Sequence, residues 1–329
     1  MEDKILIDAF GGDNSPAEIV KGAAFAAQNF DITLVLVGKK DAICTELEKY
    51  QFPENRIEIL NATEIIDVDE VPTVAIKRKK DSSVVVGLNA LKEGKGRAFI
   101  SAGSTGAVLA GATLLVGRIP GVLRPALATF LPVENGFSLI LDVGANVDPK
   151  PEYLAQFALM GSVYSDNMTG VVNPRVGLIN IGAEKEKGTS LTKEAYKLIE
   201  ETPEINFAGN IEARDIPFGK AEVLVCDAFT GNVILKYTEG LSQALLERIK
   251  KEMTAGVSRK IGAALLAPAF ASLKKGFDYK EIGGAPLLGL EGLVVKAHGS
   301  SDSKAVASAI KQCIAFIEKD IVYKIKKKL

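Results

Sequence analysis

Short runs of β-branched and aliphatic residues alternate along this chain with longer amphipathic stretches. The apolar runs lie at 4–9, 32–37, 57–61, 98–101, 139–143, 176–181, 221–226 and 293–297. Some, such as Leu139-Ile140-Leu141, are apolar at every position, which is typical of parallel strands covered on both faces. Helical periodicity separates the runs, for example at 16–29, 191–201 and 233–253. The alternation predicts an α/β protein, a three-layer α/β/α fold with a mainly parallel sheet and right-handed crossovers.

The length of the chain allows a large core. It has 329 residues, 47% of them hydrophobic, so it can fold without disulfides or a structural metal. Neither a low-complexity linker nor an internal repeat divides it. We therefore predict a single α/β/α domain over 1–329, with a protruding helical excursion at about 254–290.

Charge and cysteine usage exclude several classes of protein. Lys and Arg total 40 against 41 Asp and Glu, which argues against a nucleic-acid binder with a wholly basic surface. Cys44, Cys226 and Cys313 lie far apart and His298 is the single histidine, so we expect no metal site and no cofactor. No basic leader opens the chain, and no apolar run approaches the roughly 20 residues that span a bilayer. We expect a cytoplasmic protein with reduced thiols.

Gly, Ser, Thr and Asn are concentrated directly after the predicted strands. Ligands of open parallel sheets bind outside the carboxyl ends of the strands, so these loops are the candidate site. Two helices are predicted to start after Ser104-Thr105-Gly106 and after Gly299-Ser300-Ser301. Free N–H groups and the helix dipole could hold phosphate there, although helix capping alone also explains such residues. Neither loop is a Walker motif or a GxGxxG fingerprint, so a nucleotide is not indicated.

At these loops the sequence resembles the acyl-acyl-carrier-protein:phosphate acyltransferases of bacterial phospholipid synthesis. The matching segments are DAFGGD at 8–13, STGA at 104–107, LDVGAN at 141–146, GAE at 182–184 with KG at 187–188, 207–215, DAFTGN at 227–232 and HGSS at 298–301. They occur in the family's order and cover nearly the whole chain. Phe10 and Ala213 depart from the family pattern without changing its chemistry.

The resemblance implies that an acyl group passes from an acyl carrier protein thioester to inorganic phosphate, giving acyl phosphate and free carrier. It also implies a homodimer and a fold distantly similar to phosphotransacetylases and isopropylmalate-dehydrogenase-like enzymes. Lys187 and Asn232 are carried over as the catalytic residues, with Lys185 close enough in sequence to be confused with Lys187. The predicted phosphate-binding residues are Ser104, Thr105, Gly106, Asn146, His298, Gly299 and Ser300.

The chemistry of this reaction fits these residue types. Phosphate is already a nucleophile at neutral pH, so the protein must position it and stabilise the oxyanion that forms on the thioester carbonyl. Lys187 would supply charge to phosphate, and the Asn232 amide would donate to the oxyanion. Two structural alternatives stay open: Asn232 could cap a helix starting near Val233, and Lys187 could be a solvated loop lysine. In a rival mechanism Cys226 is the nucleophile and His298 its base, although a buried apolar role suits Cys226 better.

Two further segments suggest partners. The basic run Lys77, Arg78, Lys79 and Lys80 could steer the acidic carrier protein that the resemblance implies, or it could be a solvated helix face. An apolar stretch at 261–270, flanked by basic residues, contains the predicted membrane-contact residues Leu265, Leu266 and Phe270. Pro268 predicts two short helices there. The stretch could lie in a dimer interface, dock on anionic lipid at the inner face of the membrane, or do both.

Other functions are less compatible with the sequence. A decarboxylating dehydrogenase of related fold needs clustered metal-binding carboxylates, whereas Asp13, Asp142, Asp227 and Asp302 are scattered. An acetyl-coenzyme-A-type phosphotransacylase and a non-catalytic carrier-binding scaffold on the membrane remain as alternatives. The scaffold would not require the phosphate-type loops.

Overall fold

The structure is a computed structural model that describes residues 3–270 and 283–329. Within these ranges the strands form one eleven-stranded sheet. The strands are β1 (Lys4–Asp8), β2 (Thr33–Gly38), β3 (Ile57–Asn61), β4 (Ala98–Ser101), β5 (Ala126–Val133), β6 (Gly136–Leu141), β7 (Arg175–Asn180), β8 (Asn206–Glu212), β9 (Val223–Val225), β10 (Ala285–Leu288) and β11 (Leu293–Lys296). The helices are α1 (Ala17–Asn29), α2 (Lys40–Leu47), α3 (Pro72–Arg78), α4 (Ser83–Lys92), α5 (Thr105–Gly111), α6 (Pro151–Thr169), α7 (Ser190–Glu200), α8 (Ala228–Thr254), α9 (Val257–Leu265), α10 (Ser303–Glu318) and α11 (Ile321–Lys328).

The sheet consists of two parallel halves joined by antiparallel strands. Its order is β3-β2-β1-β4-β11-β10-β5-β6-β9-β7-β8. In this order, the five strands β3, β2, β1, β4 and β11 are mutually parallel. The four strands β6, β9, β7 and β8 are also mutually parallel. Antiparallel pairings of β11 with β10, β10 with β5 and β5 with β6 connect them, so the two halves run in opposite directions. The predicted mainly parallel sheet is confirmed.

The carboxyl ends of the two halves lie at the same level of the sheet. Lys296, the last residue of β11, pairs with Ala285 at the start of β10. The register of β10 with β5 places Ala285 opposite Thr129. Thr129 in turn pairs with Ile140, the residue before the end of β6. Because of this stagger, the loops that follow β11 and β6 begin close to the middle of the sheet, although the strands point in opposite directions.

Helices cover both faces of the sheet, which gives the three predicted layers. Alternate strand residues enter two separate apolar clusters, so that in β4 Ile100 faces one cluster and Phe99 the other. Residues of α1, α2, α6, α7, α10 and α11 complete the first cluster. Residues of α3, α4 and α5 complete the second, with the start of α8 packed against it.

Local sequence predicts eight of these strands to within three residues of their observed bounds. It does not predict β5, β8 or β10. Pro132 lies within β5, Gly209 within β8 and Pro286 within β10, and these residue types are depleted in strands. The pairing partners of these three strands, rather than their own composition, determine that they are extended.

A helical projection begins earlier than the sequence suggests. Of the 27 residues of α8, which span about 40 Å at 1.5 Å per residue, only Ala228 and Gly231 are buried. Helix α9 has no buried residue and ends at Leu265, and helical residues resume at Ala267. The predicted break beside Pro268 is therefore present. The predicted limits 254–290 need correction, because the exposed part begins within α8 and β10 already belongs to the sheet.

Part of that excursion, 271–282, lies outside the described residues. None of the described helices has the length and apolar character that crossing a bilayer requires. Whether the chain folds as one unit stays a prediction.

Candidate active site

The loops that follow β1, β4 and β11 lie against one another. The Asp13 N–H donates to the Gly299 carbonyl at 2.8 Å, which joins the first loop to the last. A Cβ on Gly11 would lie 2.4 Å from Asp8 Oδ2 and 2.5 Å from Gly103 N. Only glycine fits where the loops after β1 and β4 touch. The predicted convergence of glycine-rich loops is therefore present for these three strands.

Three polar residues close the ends of the same strands. Ser101 pairs in register with Lys296, and Asp8 is the next residue after the Ile7–Ile100 pair. Asp8, Ser101 and Lys296 are 1%, 1% and 8% exposed. Ser101 Oγ donates to Asp8 Oδ2 at 2.6 Å. Burial raises the pKa of Asp8 and lowers the pKa of Lys296 to about 8.

Helix α5 begins at the predicted position. Ser104 caps it, its Oγ accepting from the Ala107 N–H at 3.5 Å. The N–H groups of Thr105 and Gly106 are in the first turn, where a helix offers no acceptor of its own. Gly106 is close to Pro72, because a Cβ there would lie 2.6 Å from the proline Cγ. The start of α5 therefore lies next to the start of α3.

The second predicted phosphate-binding helix start is occupied by the protein itself. Helix α10 begins at Ser303, whose N–H donates to Glu18 Oε2 at 2.7 Å. The Ala305 N–H donates to Asp302 Oδ1 at 3.0 Å. Two carboxylates already use these donors and would repel another anion. Contrary to the sequence-based expectation, this helix N-terminus is not available to phosphate, and Gly299 and Ser300 lie in the turn that precedes it.

His298 connects this turn to α8. Its Nε2 lies 3.2 Å from Lys236 Nζ and its Nδ1 lies 2.9 Å from Ser300 Oγ. Burial, followed by the charge of Lys236, lowers the pKa of His298, which favours the neutral ring. The Ser300 N–H also lies 3.3 Å from Nδ1, so the ring contacts both this turn and α8. No local pattern in the sequence indicates Lys236.

Asn232 lies inside α8 and does not cap it. The helix begins at Ala228, and Asp227 is its cap, accepting from the Thr230 N–H at 2.9 Å. The alternative in which Asn232 caps a helix starting near Val233 is therefore wrong. Asn232 is exposed and precedes Lys236 by four residues, so both side chains lie on the same side of the helix. That side is the one that reaches His298.

Lys187 lies in the loop after β7, the strand next to β9. Because these parallel strands pair in register, this loop and the start of α8 emerge at the same edge of the sheet. Asn180 Nδ2 donates to the Lys187 carbonyl at 3.1 Å, and Asn210 Nδ2 donates to the Glu184 carbonyl at 2.9 Å. These two amides, which sequence reasoning missed, fix the loop backbone.

The two neighbouring lysines of this loop differ in their contacts. Lys185 is ion-paired with Glu200, and its Nζ lies 5.1 Å from the centre of the Tyr196 ring. The hydrogen bond that Lys185 donates to Glu200 raises the pKa of Lys185. Lys187 is exposed and forms no ion pair with any described residue. Of the two, Lys187 is the cation left available to an anionic ligand.

Asn146 does not fit its predicted phosphate-binding role. Its Nδ2 donates to Asp142 Oδ2 at 2.6 Å and to the Pro125 carbonyl at 2.8 Å, which uses both amide hydrogens. The backbone carbonyl of Asn146 accepts from the Ala228 N–H at 2.9 Å. Asn146 therefore positions the first residue of α8.

Cys226 is also unsuited to the role of nucleophile. It is 3% exposed, and its Sγ lies 3.7 Å from the Asp142 carbonyl. Burial raises the pKa of its thiol well above the ordinary value, so the reactive thiolate is disfavoured. The buried apolar interpretation of Cys226 agrees with these contacts.

The predicted partner-binding residues lie at the surface. Lys77, Arg78 and Lys80 are exposed at and just after the end of α3, but Lys79 is half-buried. Leu265 and Leu266 are 80% and 53% exposed, whereas Phe270 is half-buried. Among residues 3–270 and 283–329, no three or more His, Cys, Asp or Glu side chains are grouped as metal ligands would be.

Solved structures share this fold at low sequence identity. A phosphotransacetylase from Streptococcus pyogenes superposes with a TM-score of 0.66 at 17% identity, covering 96% of this chain and 94% of that one. A 4-hydroxythreonine-4-phosphate dehydrogenase from Klebsiella pneumoniae gives a TM-score of 0.51 at 11% identity, covering 95% and 99%. The chain thus shares its α/β fold with these two solved structures, and the predicted fold class is confirmed.

Sequence similarity identifies the family. The model of the family described as fatty acid synthesis protein matches residues 3–324. A phosphate acyltransferase from Clostridium tetani (strain Massachusetts / E88) is 51% identical over 327 residues, which cover 99% of this chain and 98% of that protein. The chain belongs to this family of phosphate acyltransferases, and it is an acyltransferase.

Proposed function

We propose that the chain transfers a fatty acyl group from an acyl carrier protein thioester to inorganic phosphate, and that the acyl phosphate feeds phospholipid synthesis. The observation that carries this proposal is the contact of Lys236 with His298, which brings the Asn232 side of α8 to the turn at Gly299 and Ser300. Lys187 follows β7, which is the neighbour of β9, the strand that precedes α8. A cation, an amide donor and a glycine-rich turn are the groups that such a transfer needs.

The chemistry requires no group beyond these. An oxygen of HPO₄²⁻ attacks the thioester carbonyl carbon, and the carbonyl electrons move onto oxygen. When this oxyanion collapses, the C–S bond breaks, and the proton of the phosphate passes to the departing sulfur. Lys187 holds the charge of the phosphate, and the Asn232 amide donates to the oxyanion, a contact of the kind that contributes about 3–4 kcal/mol to other acyl transfers.

The proposal is tested by following the loss of the thioester and the appearance of acyl phosphate. Purified protein is mixed with palmitoyl-acyl carrier protein, with or without inorganic phosphate, and acyl phosphate is trapped with hydroxylamine. We expect loss of thioester only with phosphate, and an equal yield of trapped product. A preference for acetyl coenzyme A would favour the phosphotransacylase alternative, and carrier binding without turnover would favour the scaffold.

The carrier protein is proposed to dock at the end of α3. Three exposed cations lie at the end of α3 or just after it: Lys77 and Arg78 are about 8–9 Å along the helix from Pro72, which adjoins the start of α5, and Lys80 follows the helix. Lys79 takes no part, because its Nζ donates to the Ile65 carbonyl at 2.6 Å and pairs with Glu70 at 2.5 Å. An acidic carrier would thus be attracted to a surface near the site loops.

Membrane contact is proposed for α9. Val257, Ile261 and Leu265, which follow one another at four-residue intervals, are 77%, 61% and 80% exposed. Arg259 and Lys260 belong to the same helix. An apolar stripe beside basic residues supports docking on an anionic lipid surface. The product, which carries a fatty chain, would then be released where lipid can receive it.

A homodimer is proposed to form along α8. Large exposed apolar residues recur at every fourth position of its outer side: Phe229, Val233, Tyr237, Leu241 and Leu245. An apolar stripe this long on a monomer surface is typical of an interaction site. The double variant Tyr237→Glu, Leu241→Glu should sediment as a monomer if the wild type sediments as a dimer. An unchanged dimer would contradict the assignment.

A further inference from the structure

A buried lysine closes strand β11 and forms no ion pair with a carboxylate among the described residues. Lys296 is 8% exposed, and its Nζ donates to the carbonyl of Ala297. It forms no ion pair with any residue that the structure describes. Asp8, Asp13 and Lys236 are the charges close enough to affect it. Burying a cation without a paired anion is costly, so the position calls for an explanation.

The neighbours of Lys296 are committed to other contacts. Ser101, its partner in register, gives its hydroxyl hydrogen to Asp8 Oδ2 at 2.6 Å and accepts from the Gly103 N–H at 3.0 Å. Asp8 Oδ1 accepts from the Phe10 N–H at 3.1 Å. Asp8 is therefore engaged by hydrogen bonds, and neither Asp8 nor Asp13 forms an ion pair with Lys296, although both carboxylates are near enough to favour its charged form.

The position of Lys296 is inside the candidate active site. Two residues further on is His298, and Lys236, which contacts His298, also acts on Lys296 electrostatically. Asp13, the other nearby charge, is fixed to the same turn through the Gly299 carbonyl. The ammonium group thus lies among the loops after β1 and β11, at the side where α8 approaches.

We propose that Lys296 is a phosphate-binding residue of the acyl-transfer site, with its ammonium group donating to an oxygen of the bound phosphate. The inference rests on the proposed function for the identity of the anion. An anion arriving at this place supplies the directly paired counter-charge that no described carboxylate provides. Lys187 then binds phosphate from the exposed side, and Lys296 binds it from the protein interior.

The closing experiment compares Lys296→Met with Lys220→Met. Methionine keeps the length of the side chain and removes its charge, and Lys220 is an exposed lysine paired with Asp215 away from the site loops. Binding of inorganic phosphate is measured by calorimetry on the full chain, the KM values for phosphate and acyl donor are measured separately, and unfolding is followed in urea.

We expect Lys296→Met to weaken phosphate binding and raise the phosphate KM by roughly tenfold to hundredfold, the loss of one charged hydrogen bond. The KM for the acyl donor should stay the same, and stability should be equal or higher because a buried charge is gone. Lys220→Met should match the wild type throughout.

The outcomes separate this inference from the proposed function. Equal phosphate binding by Lys296→Met and wild type, or a wild type that binds no phosphate, overturns the role of Lys296. A wild type that binds phosphate but transfers no acyl group to it defeats the proposed function, while a loss of binding in Lys296→Met still supports the anion site.

Discussion

Lys236 Nζ lies 3.2 Å from His298 Nε2, and this contact connects the two halves of the sheet. Lys236 belongs to α8, which follows β9 of one half, whereas His298 follows β11 of the other. Lys236 also pairs with Glu239 at 2.8 Å, which holds its side chain along the helix. Residues that are far apart in sequence and on strands of opposite direction therefore meet at one site.

The first prediction distinguishes the two lysines of the loop after β7. Lys187→Met should reduce kcat/KM for phosphate by about tenfold to hundredfold, because it removes a charged donor that is ion-paired with no residue in the described part of the chain. Lys185→Met should stay within roughly twofold of wild type, because an exposed ion pair contributes little. Steady-state kinetics with varied phosphate measures both. Equal losses in the two variants would refute the assignment.

The second prediction concerns Asn232. Asn232→Ala should lower kcat by about 10²–10³-fold if the amide donates to the oxyanion. Its stability should not fall, because alanine is favoured inside a helix. Asp227→Ala is the matched variant: it removes the cap of α8 and should cost about 1 kcal/mol of unfolding free energy. Kinetics and urea unfolding are run on both.

A destabilised Asn232→Ala with nearly normal turnover would contradict this division of roles. It would return Asn232 to a purely structural function.

The sequence predicts the fold well because a parallel sheet buried on both faces imposes uniformly apolar strands. The loops at the carboxyl ends of the strands are also recognisable in the sequence, because glycine and hydroxyl-bearing residues follow the apolar strand residues directly. β5, β8 and β10 escape prediction because their pairing partners, not their composition, make them extended. The start of α8 is missed because the helix begins with Ala228, Phe229 and Thr230, which show no amphipathic period.

The site is only partly predictable, because tertiary contacts decide which of its donor groups are already hydrogen-bonded within the protein. Asn146 and the start of α10 look available in sequence, but Asp142, Glu18 and Asp302 already use their donors. Lys236 and Lys296 carry no motif and become notable only when their neighbours are known. Local patterns indicate which loops meet, and folded geometry decides which groups in them are free.

The third prediction tests the basic surface at the end of α3. Replacing Lys77, Arg78 and Lys80 with alanine should raise the KM for the carrier substrate at low salt and flatten its salt dependence, because exposed charges act at long range and are screened. The KM for phosphate should not change. Lys79→Met serves as the comparison, since Lys79 is engaged with Glu70. A carrier KM that is the same in variant and wild type across salt would remove this surface from consideration.

The fourth prediction tests α9 as a lipid-docking helix. Leu265→Glu and Leu266→Glu should each reduce sedimentation with vesicles of phosphatidylglycerol, because a carboxylate opposes both apolar insertion and the anionic surface. Activity in solution should be retained. Val172→Glu is the control, because Val172 is 81% exposed in a loop before β7. Undiminished sedimentation of both leucine variants would count against docking.

The fifth prediction concerns the pH dependence of stability that Lys296 confers. Burial lowers its pKa to about 8 in the folded chain, whereas an unfolded lysine titrates near 10.5. Between these values the unfolded chain binds more protons than the folded one, so the contribution of Lys296 to stability rises with pH. Below pH 8 the full penalty of the buried charge remains.

This dependence is isolated by comparing wild type with Lys296→Met, in which every other group is common. The unfolding free energy of wild type minus that of the variant should increase from pH 8 towards pH 10, by up to about 3 kcal/mol over the whole window. Saturating phosphate, by supplying the missing anion to the folded state, should raise the wild-type value below pH 8 more than that of the variant. A difference that is flat with pH would mean that Lys296 is not a buried cation.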